Sequence, residues 1–125
     1  MTVVAPAAVS AAVLIVEDQP LLLLDAVDLV EAEGLRAIGV GHADAALAIL
    51  TDGAGVRILL TGIDMAGSVD GLALAALVRE RWPAVRVIVT SGHLPPALDD
   101  LPGVRFLPRP YDAAALREAL GELVG

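Results

Sequence analysis

Short apolar runs alternate along the chain with longer segments in which apolar and polar positions recur at helical spacing. Uninterrupted runs of branched residues are typical of strands that a parallel sheet buries on both faces. This alternation predicts an α/β fold, a doubly wound five-stranded parallel sheet with helices on both faces. The predicted strands span residues 13–16, 36–40, 56–61, 85–90 and 104–107.

Helix boundaries are marked by residues with specific backbone preferences. Pro20 suits the first turn of a helix and Gly34 is placed to end it. Asp70 and Asp112 each stand where a side chain can cap a helix. Three prolines between the fourth and fifth strands leave room for only a turn or two of helix. We therefore expect a shortened fourth helix.

Polar side chains follow the apolar runs at four separate places in the chain. In open parallel sheets, ligands bind beyond the carboxyl ends of the strands, where the strand order reverses. The convergence of acids, hydroxyls and a cation predicts a site at this rim of the sheet. The residues at the strand ends are Glu17 and Asp18, Thr61 and Gly62, Thr90 and Ser91, and Arg109.

The chemistry of these residues suits a divalent cation and a phosphoryl group. Adjacent Glu17 and Asp18 offer the hard oxygen ligands that Mg²⁺ prefers. A threonine hydroxyl and an arginine could hold phosphoryl oxygens. Simpler interpretations remain: Asp18 caps the helix that starts at Pro20, Glu17 is solvated, and Thr90 is an ordinary β-branched strand end.

Charge and composition exclude several classes of function. The net charge is −8 and every basic residue is arginine, which argues against a nucleic-acid partner. The chain has no cysteine, which excludes disulfides and thiolate metal sites and agrees with a cytoplasmic location. Its apolar runs are shorter than the roughly 20 residues of a membrane span. We assign residues 1–11 to an N-terminal tail and 12–125 to one domain.

Five short motifs, in order and at strand ends, carry a family resemblance. They are Val-Leu-Ile-Val-Glu-Asp at 13–18, Ile-Asp-Met-Ala-Gly at 63–67, Asp70-Gly71, Val-Thr-Ser-Gly at 89–92 and Pro-Arg-Pro at 108–110. From about residue 12 to 124 the chain resembles the CheY-like receiver domain of two-component response regulators. The resemblance implies a flavodoxin-like strand order, 2-1-3-4-5. It also implies phosphoryl transfer from a kinase histidine to an aspartate after the third strand, with Mg²⁺ held by an acidic pair.

The family's functional positions carry over to this chain only in part. Glu17 and Asp18 match the metal-binding acids, and Asp64 matches the position whose backbone carbonyl reaches the metal. Thr90 matches the hydroxyl that senses the phosphoryl group, and Phe106 the aromatic residue that repacks in response.

Three positions depart from the family pattern. Gly62 stands where the family has its phosphoacceptor aspartate, Ala66 replaces a proline, and Arg109 replaces a lysine. Arginine keeps the positive charge and could still pair with a carboxylate or phosphate. Glycine has no side chain to attack phosphorus. The absence of a carboxylate at this position should also weaken Mg²⁺ binding.

These observations predict a stand-alone pseudo-receiver that acts by protein–protein contact and is not an enzyme, with a sensor histidine kinase or another signalling protein as partner. One alternative is a phosphorylatable receiver that uses Asp64, or that derives from a parent with an aspartate in place of Gly62. A second alternative is a small phosphatase or flavin-binding module on the same fold. The phosphatase would lack its first aspartate, and Glu17 and Asp18 would repel a flavin phosphate.

Overall fold

Apolar runs at the predicted places form one five-stranded parallel sheet in the computed structural model, with the order β2-β1-β3-β4-β5. The structure describes residues 12–63, 70–92 and 103–124, without the side chains of 122–124. The strands are β1 (Ala12–Val16), β2 (Arg36–Val40), β3 (Val56–Gly62), β4 (Arg86–Ser91) and β5 (Val104–Pro108). The helices are α1 (Pro20–Ala32), α2 (Ala43–Thr51), α3 (Gly71–Arg81) and α4 (Ala113–Val124).

The predicted fold class and the strand order 2-1-3-4-5 are confirmed. Every neighbouring pair of strands is parallel, and the order reverses between β1 and β3. The carboxyl ends of these two central strands therefore border the crevice where such folds bind ligands. The short helix predicted between the fourth and fifth strands falls in 93–102, outside the described residues, and is not the helix labelled α4.

Alternating side chains of the strands supply two separate cores, because successive residues of a strand point to opposite faces. On one face Leu14, Val16 and Leu59 pack with buried residues of α2 and α3. On the other, Ile15 and Leu60 pack with buried residues of α1 and α4. Burial of the central strands on both faces explains why β1 and the middle of β3 and β4 are continuously apolar.

Helix termini follow the capping signals in the sequence. Asp70 accepts a hydrogen bond from the N–H of Ala73 at 2.8 Å, and Asp112 accepts one from Ala115 at 2.8 Å. Gly34 follows α1 with a φ of +81°, a conformation that glycine adopts without steric cost. Within the described ranges, none of the helices has the length and apolarity that crossing a membrane requires.

Helix α1 is less amphipathic than its regularly spaced acids suggest. Asp25 and Asp28 are exposed, and Ala26 and Val30 are buried. Leu21 and Leu24, however, are 81% and 60% exposed. The amino-terminal half of α1 thus presents an apolar surface to solvent.

Candidate functional site

A partly buried ion pair joins the end of β1 to the segment after β5. Arg109 Nη1 lies 3.0 Å from Glu17 Oε1, and the two side chains are 20% and 7% exposed. The second carboxylate oxygen of Glu17 accepts the N–H of Gln19 at 3.1 Å. The N–H of Arg109 donates to the carbonyl of Ser91 at 2.9 Å, which fixes this segment against β4. Both oxygens of Glu17 are therefore engaged by groups of the chain itself.

The charge of Glu17 is nevertheless disfavoured. Burial raises the pKa of the Glu17 carboxyl above its ordinary 4.5, and the neighbouring Asp18 acts in the same direction. The N–H of Gln19 and the guanidinium of Arg109 oppose this rise in the pKa without cancelling it. Desolvation thus outweighs the ion pair at this rim.

Gly62 ends β3 directly opposite Thr90 of β4 in the parallel register. Its carbonyl oxygen accepts a hydrogen bond from Thr61 Oγ1 at 2.9 Å, and the next residue, Ile63, donates its N–H to the Thr90 carbonyl at 3.0 Å. Thr90 is 4% exposed, and its hydroxyl has no hydrogen-bond partner among the described residues. The end of β3 is therefore held by backbone bonds, whereas a buried hydroxyl beside it is unsatisfied.

The start of α3 touches the end of β3 without any intervening side chain. The N–H of Gly71 donates to the carbonyl of Ile63 at 3.0 Å. A Cβ atom built on Gly71 would lie only 1.7 Å from the carbonyl oxygen of Gly62 and 2.8 Å from the Cα of Ile63. Only glycine fits this contact, because both obstructing groups are backbone.

A cavity of about 90 Å³ opens beside Gly62, between α1, the carboxyl ends of β1, β3 and β4, and the segment after β5. Glu17, Thr90 and Arg109 supply polar groups to its wall, and Tyr111 and Asp25 also line it. Burial raises the pKa of the Tyr111 hydroxyl above 10.0; Arg109 lowers it, whereas Asp25 and Glu17 raise it. The cavity is a mainly apolar space with a few convergent polar groups, the usual character of a small-ligand site.

The structure brings four of the predicted site residues to this cavity: Glu17, Gly62, Thr90 and Arg109. Asp18 is half-buried next to Glu17, and the N-cap position of α1 belongs to Gln19. Phe106 is half-buried and packs against the core under α2 and α3, away from the cavity.

The predicted metal site can be compared with this geometry only in part, since Asp64 lies outside the described residues. Among the residues that are described, no group of three acidic, histidine or cysteine side chains is placed to hold a metal ion. Arg109 would compete with a metal ion for Oε1 of Glu17. Among the described side chains, Glu17 and Asp18 are the acids that could hold a Mg²⁺ ion, and the Glu17 carboxylate is already paired with Arg109.

Sequence reasoning missed the roles of Gly71, Asp25 and Tyr111. For Gly71 a signal was available, because it directly follows the capping residue Asp70. A residue that favours helix is expected at that position unless another backbone segment comes too close for a side chain. Tyr111 stands two residues after Arg109, but nothing local marks it as a cavity wall. Asp25 follows the acidic spacing of α1, which describes a solvated stripe equally well.

Comparisons with known proteins agree with this geometry. The family model of the response regulator receiver domain matches residues 13–120. The structure is similar to a response regulator receiver protein from Sinorhizobium medicae WSM419, with a TM-score of 0.86, 25% identity, and coverage of 94% of this chain and 96% of that one. It is also similar to the receiver domain of the hybrid histidine kinase CckA, with a TM-score of 0.78, 28% identity, and coverage of 92% and 100%.

A third similar structure is the Vibrio cholerae chemotaxis protein CheY4, with a TM-score of 0.81, 16% identity, and coverage of 91% of this chain and 98% of that one. At this identity the likeness concerns the fold alone. The family match, by contrast, extends over most of the sequence and overlaps all five strands. The chain therefore belongs to the family of response regulator receiver domains of two-component signalling.

Proposed function

We propose that this receiver domain signals by contact with another protein and forms no aspartyl phosphate at position 62. The observation that carries the proposal is the placement of Gly62, at the carboxyl end of β3 opposite Thr90 and on the wall of the rim cavity. Covalent phosphoryl transfer needs a nucleophilic side chain within reach of the donor. Glycine offers none.

The ion pair of Arg109 and Glu17 supports the same proposal. Separating a buried pair leaves an uncompensated charge and costs about 3–5 kcal/mol, although the partial exposure of Arg109 reduces that cost. The pair holds the segment after β5 against β1 without any phosphoryl group. A receiver whose rim is held together in this way keeps one conformation, and a partner protein can bind that conformation without phosphorylation.

We expect Mg²⁺ to bind weakly. The acidic pair of Glu17 and Asp18 is present, but the Glu17 carboxylate is already engaged and position 62 adds no oxygen. Calorimetric titration should therefore show weaker Mg²⁺ binding by this protein than by a Gly62→Asp variant. Equal affinities would contradict the placement of residue 62 beside the acidic pair.

The expected partner is a sensor histidine kinase or another signalling protein, in the cytoplasm. The net charge of −8 argues against nucleic acid as the partner. Receiver domains are in general signalling modules rather than enzymes, and we expect no catalytic turnover here. A flavin-binding role has little support, because the rim cavity of about 90 Å³ is smaller than the roughly 300–1,000 Å³ of typical cofactor sites.

Intact-mass spectrometry after incubation with Mg²⁺ and acetyl phosphate tests the proposal. We expect no phosphoryl mass increment on this protein and a clear increment on Gly62→Asp. The matched control is Gly62→Asn, which has the same shape as the aspartate variant but no carboxylate, and should stay unlabelled. A double variant that adds Arg109→Lys provides the alternative cation, in case the guanidinium obstructs the donor.

Labelling of the unsubstituted protein would overturn the proposal. If Asp64→Asn then abolished that labelling, the alternative of a receiver that is phosphorylated on Asp64 would replace it. Failure of both aspartate-bearing variants to become labelled would instead contradict the identification of position 62 as the acceptor position. The three results are therefore distinguishable.

A further inference from the structure

We propose that the rim cavity binds a small uncharged organic molecule whose carbonyl-type oxygen accepts hydrogen bonds from the protein. The cavity measures about 90 Å³ and lies beside Gly62, under α1 and the segment after β5. A polar space needs only about 10–15 Å³ to hold one water molecule. The volume is therefore sufficient for a molecule of several heavy atoms.

Hydrogen-bond donors without partners indicate what such a molecule must offer. The Thr90 hydroxyl and Arg109 Nε have no hydrogen-bond partner among the described residues. Both belong to residues that line the cavity, but as placed both atoms are covered by neighbouring atoms and are not open to it. A threonine turns either its hydroxyl or its methyl group toward a neighbour according to its rotamer. An acceptor in the cavity would favour the hydroxyl-facing rotamer and satisfy a buried polar group.

The apolar part of the wall requires that the molecule also carry a hydrocarbon portion. Ile15, Leu22, Ala26, Leu60 and Pro110 surround the cavity on the α1 side. Burial of methyl or methylene groups against such a surface is favourable, whereas a water molecule finds no hydrogen-bond partner on it. A short amide or ketone combines the acceptor and the apolar body.

The charges at the cavity favour an uncharged molecule over a carboxylate. Glu17 and Arg109 neutralise each other at 3.0 Å, so that the interior carries no net positive charge for an anion. Asp25 lines the cavity as well and would repel an anion further. Transferring an ion from water into a site without a countercharge is costly.

Titration of the isotope-labelled chain with N,N-dimethylacetamide, followed by amide NMR, tests the inference. We expect saturable shifts at Gly62, Thr90, Arg109 and Tyr111, with a dissociation constant in the millimolar range that a ligand of this size can reach. Isobutyrate has a similar size but is charged, and should bind more weakly. The inference does not depend on the proposed function, because the titration contains no phosphodonor. Amide binding can fail while the protein stays unphosphorylated, and the reverse can also occur.

Two variants and one control locate the binding. Thr90→Val keeps the side-chain shape but removes the hydroxyl, and should weaken the affinity roughly tenfold. Thr51→Val removes an exposed hydroxyl at the end of α2, where it donates to the Leu47 carbonyl at 2.8 Å, and should leave the affinity unchanged. Ala26→Leu fills the cavity and should abolish binding.

An absence of saturable shifts would show that the cavity holds water only, and equal affinities of Thr90→Val and Thr51→Val would show that the Thr90 hydroxyl does not bind the ligand. Either result would overturn the inference. Tighter binding of isobutyrate than of the amide would overturn the uncharged class of ligand. If Ala26→Leu does not fold, the comparison of the two threonine variants decides the question.

Discussion

Replacing Gly71 with alanine would put a methyl group into the contact between the start of α3 and the end of β3. The added Cβ would lie 1.7 Å from the Gly62 carbonyl oxygen and 2.7 Å from the carbonyl carbon. Both are backbone atoms of a buried central strand, so no side-chain rotation can relieve the overlap. Either α3 must move away or the end of β3 must bend.

The expected loss of stability follows from three contributions. Alanine gains about 1 kcal/mol over glycine in helix propensity. Overpacking costs about 1–3 kcal/mol or more, and contact with rigid backbone belongs at the upper end of that range. Movement of α3 would also weaken the cap that Asp70 provides, worth about 0.5–2 kcal/mol. We expect Gly71→Ala to lower the free energy of unfolding by about 2–4 kcal/mol.

Urea denaturation followed by circular dichroism and by the fluorescence of the single tryptophan measures this loss. Gly121→Ala is the matched control, because nothing lies within 4 Å of its added Cβ on the exposed face of α4. It should stabilise the protein by about 0.5–1 kcal/mol. A loss below about 1 kcal/mol for Gly71→Ala would refute the argument that backbone contact requires glycine.

Three further predictions concern pH and capping. Burial raises the pKa of Glu17, so in the absence of Mg²⁺ the protein should gain stability relative to Glu17→Gln as the pH falls from 7 toward 4.5. A difference in urea midpoints that does not change with pH would contradict this. The only tyrosine, Tyr111, should ionise above pH 10.0 in an ultraviolet titration, and stability should fall as the pH rises through its pKa. Asp112→Ala should cost about 1 kcal/mol of stability by removing the cap on the Ala115 N–H, whereas Asp112→Asn should keep most of it, as thermal melts can show.

Much of the fold could be predicted from the sequence because the central strands are apolar on both faces and α1, α3 and α4 begin at recognisable signals. The predicted span 36–40 matches β2 residue for residue. The fourth strand was placed one residue early, since it begins at Arg86. Val85 is buried like a strand residue, but its N–H bonds the Trp82 carbonyl at 2.9 Å in a turn.

One local helix cap and the tertiary packing around the rim cavity account for what the sequence did not predict. His42 looks like a solvated turn residue, and it is exposed, yet its Nδ1 caps α2 by accepting the N–H of Ala45 at 3.2 Å. The site residues Glu17, Gly62, Thr90 and Arg109 were predictable because parallel strands bring their carboxyl ends together. The cavity between them was not, because its shape depends on how α1 and the segment after β5 pack.

The ion pair of Glu17 and Arg109 has a consequence for how the protein forms during synthesis. Its members are 92 residues apart in sequence, and the rim draws on β1, β3, β4 and the segment after β5. A nascent chain that has paired its first strands would bury the Glu17 carboxylate before its counterion has left the ribosome, which is unfavourable. The rim of the sheet therefore becomes stable only when residue 109 arrives, so that a ribosome-bound fragment without it should not yet present the finished binding surface.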